Sequence, residues 1–224
     1  MRTLATIIRA FLCLFVAGLP SSYAEEQRKL PEFPLQFTCD LETTAHLVDR
    51  TKDYPPWLRK IKIHYDYINK LARAEISHGY EAGRTYYRRY DQKKEYMVRS
   101  GEFAECQRSY LGEDMPFPEL PKTMTFQDIV KIDGRDCEHW VEDLGVERVH
   151  VYQSVDTKEP VRLVDESVED SVSTPLMTYD FKNFKQGEPE KTAFALPAPY
   201  THKKCQRHVG GFPYLHLFHY YLRF

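Results

Sequence analysis

Leu35-Gln-Phe-Thr-Cys-Asp-Leu-Glu-Thr-Thr-Ala-His-Leu47 sets apolar residues against polar ones almost one for one. Leu35, Phe37, Cys39, Leu41, Ala45 and Leu47 share one parity, while Gln36, Thr38, Asp40, Glu42 and His46 share the other. Period two belongs to a strand with one buried face and one wet face; on a helix the same residues would scatter around the cylinder. A second run follows the Asp53-Tyr-Pro-Pro56 turn, with Ile61, Ile63, Tyr65 and Tyr67 opposing Lys60, Lys62, His64 and Asp66. The fold class expected from this start is mainly β, with a few short helices.

The rest of the chain repeats the pattern. Leu71–Ser77 reads as a strand, and His78–Gly83 reads as a hairpin connection. Arg84–Arg99, rich in tyrosine, reads as one long or bulged strand, and Cys106–Tyr110 as another. After the proline-rich Met115–Pro121, Thr123–Ile132 is the best short-helix candidate, with Thr125 as its cap. Strand signals resume at Asp136–Glu142, Val149–Tyr152, Pro160–Val164 and Leu176–Phe184, with Asp165–Ser173 expected as an acidic loop. Short strands between turn signals describe antiparallel pairing, not alternating β–α units. There is no internal repeat, so residues 35–224 read as a single domain behind a flexible, charged leader, 25–34.

Ahead of the leader, Arg2 and Arg9 flank a short apolar stretch that ends at Ser22 and Ala24. This is the form of a signal peptide over residues 1–24. The uninterrupted apolar run is about half of the roughly 20 residues a membrane span needs, so a secreted or secretory-lumen protein without a transmembrane anchor is expected. Removing the segment leaves 29 basic against 33 acidic residues. That slight acidity argues against nucleic acid as a partner. Four cysteines then remain, Cys39, Cys106, Cys137 and Cys205, which suggests two disulfides. Three pairings are open; Cys39–Cys137 with Cys106–Cys205 is the preferred one. Neither Asn69 nor Asn183 has a hydroxyl residue two places on, so no N-glycosylation is expected.

Residues 137–197 carry a recognisable order: Cys137-Glu-His-Trp140, Val151-Tyr-Gln-Ser154, Glu159-Pro-Val-Arg-Leu163, Met177-Thr-Tyr-Asp-Phe-Lys-Asn-Phe184 and Phe194-Ala-Leu-Pro197. This order resembles the ependymin-related proteins and the LolA/LolB lipoprotein carriers. Phe194–Pro197 with Cys205 and Gly210-Gly-Phe-Pro213 also resembles the non-catalytic N-terminal domain of extended papain-like proteases. The first resemblance implies a half-barrel, a curved antiparallel sheet whose apolar concave face holds a lipid or another hydrophobic small molecule. Candidate cavity liners are Leu35, Phe37, Leu41, Ile61, Ile63, Tyr65, Tyr67, Val149, Val151, Met177, Tyr179 and Phe181. The same side chains would equally fill a core, leaving an extracellular interaction or pro-domain-like module that binds a protein partner.

Little in the sequence argues for catalysis or a cofactor. No Gly-x-Ser-x-Gly elbow is present, and the mature cysteines are better read as bridges than as a nucleophile. His202, Cys205, His208, His216 and His219 could supply zinc ligands, but a bridged Cys205 cannot act as a thiolate, so a packed aromatic terminus is the simpler reading. The carboxylates of Asp165, Glu166, Glu169 and Asp170 lack an EF-hand ladder. The basic run Arg84–Lys94 reads as a solvated strand face. The expectation is therefore a non-enzymatic binding protein without metal or cofactor.

Overall fold

The structure is a computed structural model and describes residues 28–46 and 57–212. One open, curved sheet takes in every strand among them, in the order β12-β6-β5-β4-β3-β2-β1-β11-β10-β9-β8-β7. The strands are β1 (Gln36–Ala45), β2 (Trp57–Asp66), β3 (Leu71–His78), β4 (Arg84–Arg89), β5 (Lys94–Arg99) and β6 (Glu105–Tyr110). They continue with β7 (Thr125–Ile132), β8 (Arg135–Asp143), β9 (Glu147–Ser154), β10 (Pro160–Glu169), β11 (Val172–Gln186) and β12 (Gln206–Arg207). All pairs are antiparallel except the two-residue β12, which runs parallel to β6. Each half of the sheet is a meander of hairpins, and the halves join where β1 pairs with β11. Register shifts in β1, β2, β7 and β10 supply bends that help the sheet curve without closing.

Cross-strand register sorts the side chains onto two faces. Leu41 faces Ile61 on β2 and Phe181 on β11, and Tyr179 faces Leu163, which faces Val151, which faces Trp140. These residues belong to one buried cluster on the concave face. The opposite parity carries the charged pairs Lys60–Glu42 at 2.7 Å and Arg162–Asp180 at 2.6 Å.

Several expectations need correction. Thr123–Ile132 is no helix: Thr125–Ile132 forms edge strand β7, paired with β8 through a two-residue turn. Both turn residues have positive φ, Asp133 at 48° and Gly134 at 80°, the geometry that an Asp-Gly hairpin favours. Asp165–Ser173 is no loop either. β10 runs to Glu169 and β11 starts at Val172, across a turn in which Asp170 and Ser171 have φ of 49° and 64°. Arg84–Arg99 is two strands, folded back at a short 3-10 turn over Tyr90–Gln92. In the leader, residues 28–34 are irregular, yet Phe33 is buried against Phe181, ring centroids 5.7 Å apart. The signal peptide, the Asp53–Pro56 turn, His216 and His219 lie outside the described residues.

The cysteines divide. Cys106 and Cys205 form a disulfide, while Cys39 and Cys137 are free and buried. Cys39 points into the concave core, whereas Cys137 packs with Ile132 and Val161 on the other face. Their strands lie four positions apart in the sheet, about 19 Å at strand spacing, far beyond disulfide reach. The expected Cys39–Cys137 bridge is therefore replaced by two separate thiols.

Candidate functional site

The expected cavity liners do come together. Phe37, Leu41, Ile61, Ile63, Tyr65, Val151, Tyr179 and Phe181 lie in the concave cluster, each at most 4% exposed. Tyr67, Val149 and Met177 pack against it, partly buried, and Leu35 sits at the exposed margin. What covers them is the chain itself. Leu111, Met115, Leu120 and Met124, from the irregular stretch 111–124, complete the same cluster. Phe33 and Phe212 join it from two further segments. The Tyr65 hydroxyl donates to the Pro116 carbonyl at 2.5 Å, and Tyr67 meets Phe117 edge-on at 5.1 Å. Burial pushes the Tyr65 phenol well above its ordinary value, so it stays a donor. The chain's own segments thus shield these side chains from water.

One end of the concave face is polar. Tyr65, Ala72, Arg88, Glu95 and Ser109 are register partners in a single row across β2 to β6. Ala72, which has little bulk, lies opposite Arg88. Arg88 and Glu95 are both buried and approach at 3.4 Å, and Arg88 also contacts Glu113 at 2.7 Å. Burial holds the Glu95 carboxyl above its ordinary range, against the pull of Arg88. The expectation of a solvated basic face thus fails at Arg88. Arg88 and Arg89 are neighbours on β4 and point to opposite faces, so only one of the two can be solvated.

These groups hold the C-terminal segment. From Cys205, on the outer face, the chain rounds the β6 edge as β12 and enters the concave face. There the Ser109 hydroxyl donates to the Gly210 carbonyl at 2.5 Å, and the Phe212 N–H donates to Glu95 Oε1 at 3.0 Å. Arg88 Nη2 donates to the Phe212 carbonyl at 2.7 Å. The Phe212 ring lies 5.9 Å from Tyr86 and 4.9 Å from His208.

The outer face carries a second constellation, unnoticed in the sequence because its members come from four separate strands. His139 Nδ1 lies 2.9 Å from Asp128 Oδ1, and His139 Nε2 lies 2.8 Å from His150 Nδ1. His150 Nε2 in turn lies 3.1 Å from Glu166 Oε2, and Tyr152 stacks on His139 at 4.6 Å. Two neutral imidazoles carry two protons for three contacts, so one contact lacks a proton unless a third is bound. Burial lowers the His150 pKa, with Glu166 opposing and His139 and Arg148 assisting. A ring-to-ring N···N distance of 2.8 Å leaves no room for a metal between the histidines. Among the described residues no group of three or more His, Cys, Asp or Glu is arranged to hold a metal ion. Of the C-terminal zinc candidates, Cys205 is bridged, His202 bonds Tyr96 and Arg108, and His208 stacks on Phe212.

No family model matches the chain, and comparison with curated proteins found no significant match. Among solved structures, the chain is similar to an uncharacterized conserved protein from Thermus thermophilus. The TM-score is 0.51 at 11% identity, covering 78% of this chain and 90% of that one. MucB, solved in complex with MucA(peri), gives a TM-score of 0.40 at 10% identity, over 76% of this chain and 56% of that one. PNGF-II gives 0.36 at 8% identity, over 77% of this chain and 31% of that one. The chain thus spans about half of the MucB chain and a third of PNGF-II. The likeness to the Thermus protein shows a shared fold.

Proposed function

We propose that this protein is a non-enzymatic interaction module of the extracellular space or secretory lumen, binding a protein partner while its concave face stays filled. The observation that carries this reading is the closure of the concave face by Phe33, by residues 111–124 and by Phe212, all of the same chain. The Cys106–Cys205 disulfide fits an oxidising compartment, and no helix among the described residues is long and apolar enough to cross a membrane. Two neighbouring hairpin tips expose Leu144, Val146 and Val172, with the Val168 N–H bonded to the Val146 carbonyl between them. They are the first surface to test. Native mass spectrometry of protein from a eukaryotic secretory host should give a bare chain. Crosslinking in conditioned medium should capture a discrete protein, and Val146→Asp/Val172→Asp should release it. A bare chain that captures no discrete protein would count against the reading.

A second reading keeps a lipid or other hydrophobic ligand. It is supported by the resemblance of residues 137–197 to ependymin-related and LolA/LolB proteins, and by the nature of the cover. Beyond Leu111, whose N–H donates to the Lys93 carbonyl, residues 112–124 contribute Met115 and Met124 without ladder pairing, so they can lift without breaking the sheet. A mass excess that disappears on denaturation, with lipid in the extract, would put this reading first.

A further inference from the structure

We propose that Arg88, Glu95 and Ser109 form a peptide-binding site, occupied in cis by Gly210–Phe212. The class of ligand it takes in trans is a peptide that bends at a glycine and carries an aromatic residue two places on. The inference rests on the interaction-module reading and names the chemistry of one recognition site within it.

Three features separate this contact from ordinary terminal packing. The first is what is recognised. After His208, whose N–H still donates to the Arg108 carbonyl at 2.8 Å, the segment leaves the ladder, and side chains take over its main-chain groups: one carbonyl by Ser109, then the N–H and carbonyl of a single residue by Glu95 and Arg88. The three side chains come from β6, β5 and β4, one each, on one register row. Main-chain capture of this kind reads backbone N–H and carbonyl groups whatever the side chains that carry them, as strand addition does at a sheet edge.

The second feature is the cost of the grip. Arg88 and Glu95 occupy buried positions on a largely apolar face. A buried ion pair commonly adds no stability over apolar side chains of similar size, so core packing alone does not account for it. A paired donor and acceptor fixed at the spacing of one residue's N–H and carbonyl does.

The third is selectivity by shape. Gly210 has φ of +102°, a backbone conformation that residues with a Cβ rarely adopt, whereas a Cβ on Gly211 would meet Glu95 Oε1 only at an ordinary 3.4 Å. The first of the two positions therefore selects glycine. The next side chain is the anchor, buried with Tyr86 in the concave cluster. Cys205, bridged to Cys106 on the outer face, tethers the segment five residues before Gly210. A tether that short holds the cis ligand at an effective concentration on the order of millimolar, so a free peptide must outcompete it.

The test uses the full chain and a fluorescent peptide of sequence Gln206–Pro213, followed by anisotropy. Phe212→Asp removes the cis anchor, and Gly210→Ala loosens the cis segment more gently by straining its positive φ. Each variant should bind the peptide at least about tenfold more tightly than the wild type, which the cis segment blocks. Adding Glu95→Ala to either variant, which removes the acceptor of the Phe212 N–H, should abolish binding, and a peptide with Asp in place of the phenylalanine should not bind. A folded Phe212→Asp or Gly210→Ala protein that fails to bind the peptide, or binds both peptides alike, would overturn the site. Peptide binding without any captured extracellular protein would leave the site standing and remove the interaction-module reading.

Discussion

Removing the Cys106–Cys205 disulfide gives the sharpest quantitative test of the fold. Cys106 and Cys205 are 99 residues apart, and the loop they close contains β7 to β11. Chain-entropy reasoning assigns a loop of that size about 4.7 kcal/mol, all of it in the unfolded ensemble. The folded state keeps its other ties at the same place. His202 bonds the Tyr96 hydroxyl at 2.9 Å and Arg108 at 3.0 Å, Arg108 Nε donates to the Cys205 carbonyl at 3.0 Å, and β12 pairs with β6. Cys106→Ala/Cys205→Ala should therefore keep its near-UV circular dichroism while losing about 4–5 kcal/mol in urea unfolding. For a chain of this size that is a fall in Tm of roughly 10–20 °C. The urea m-value should rise, because a denatured chain freed of its crosslink expands and exposes more surface. A loss under about 1 kcal/mol with an unchanged m-value would refute the reasoning, because it would mean that the bond constrains little of the unfolded chain.

Three further outcomes follow from particular residues. Cys39 and Cys137 should resist alkylation in the native protein and react in denaturant; burial holds both thiols above their ordinary value, and native labelling of either would contradict their placement. An NMR titration should place the His150 midpoint below the ordinary 6.5, because burial from water outweighs the pull of Glu166, while His139 and Arg148 add to the lowering and Tyr152 stays neutral. The folded state then binds fewer protons than the unfolded one, so this group's contribution to stability is full above 6.5 and is lost as pH falls through the folded value; a midpoint at or above 6.5 would contradict it. Leu120→Ala should cost about 2–5 kcal/mol in urea unfolding, as a packed core residue would, whereas a loss near zero would mean that the 111–124 cover lies loosely on the sheet.

The sheet was legible because period two survives wherever one face is buried. Phe37 to Leu41 and Ile61 to Tyr65 fell on one face as their spacing requires, and Val151, Tyr179 and Phe181 joined them across the sheet. The failures have local causes. In β7, Phe126, Ile129 and Val130 fit a helical spacing as well as a strand, and the Asp133-Gly134 pair that decides the matter lies just past the run. In Asp165–Ser173, acids and serines masked two strand ends, since Asp165 is itself buried on the concave face opposite Met177. Of the two expected bridges, Cys106–Cys205 forms and Cys39–Cys137 does not: Cys39 and Cys137 sit on opposite faces, a relation that appears only once the strands are ordered.

What lies on top of the apolar face was not legible, and the reason is general. Alternation reports that one side of a strand is shielded from water, but a lipid, a second sheet and an irregular segment shield it equally well. Here the shield comes from stretches without any period of their own. Phe33 stands in a charged leader, Met115 and Leu120 in a proline-rich stretch, and Phe212 in a Gly-Gly turn. Each reads as a solvated loop until the sheet beneath it is in place. Arg88 and Glu95 are hidden by the same logic, since a charged residue on a strand is assigned outward by default. On the concave face they instead mark where the cover is held through its main-chain groups rather than by apolar packing alone. The places where the sequence pattern and the structure part company are therefore where this chain binds itself. A partner peptide would meet the same groups there.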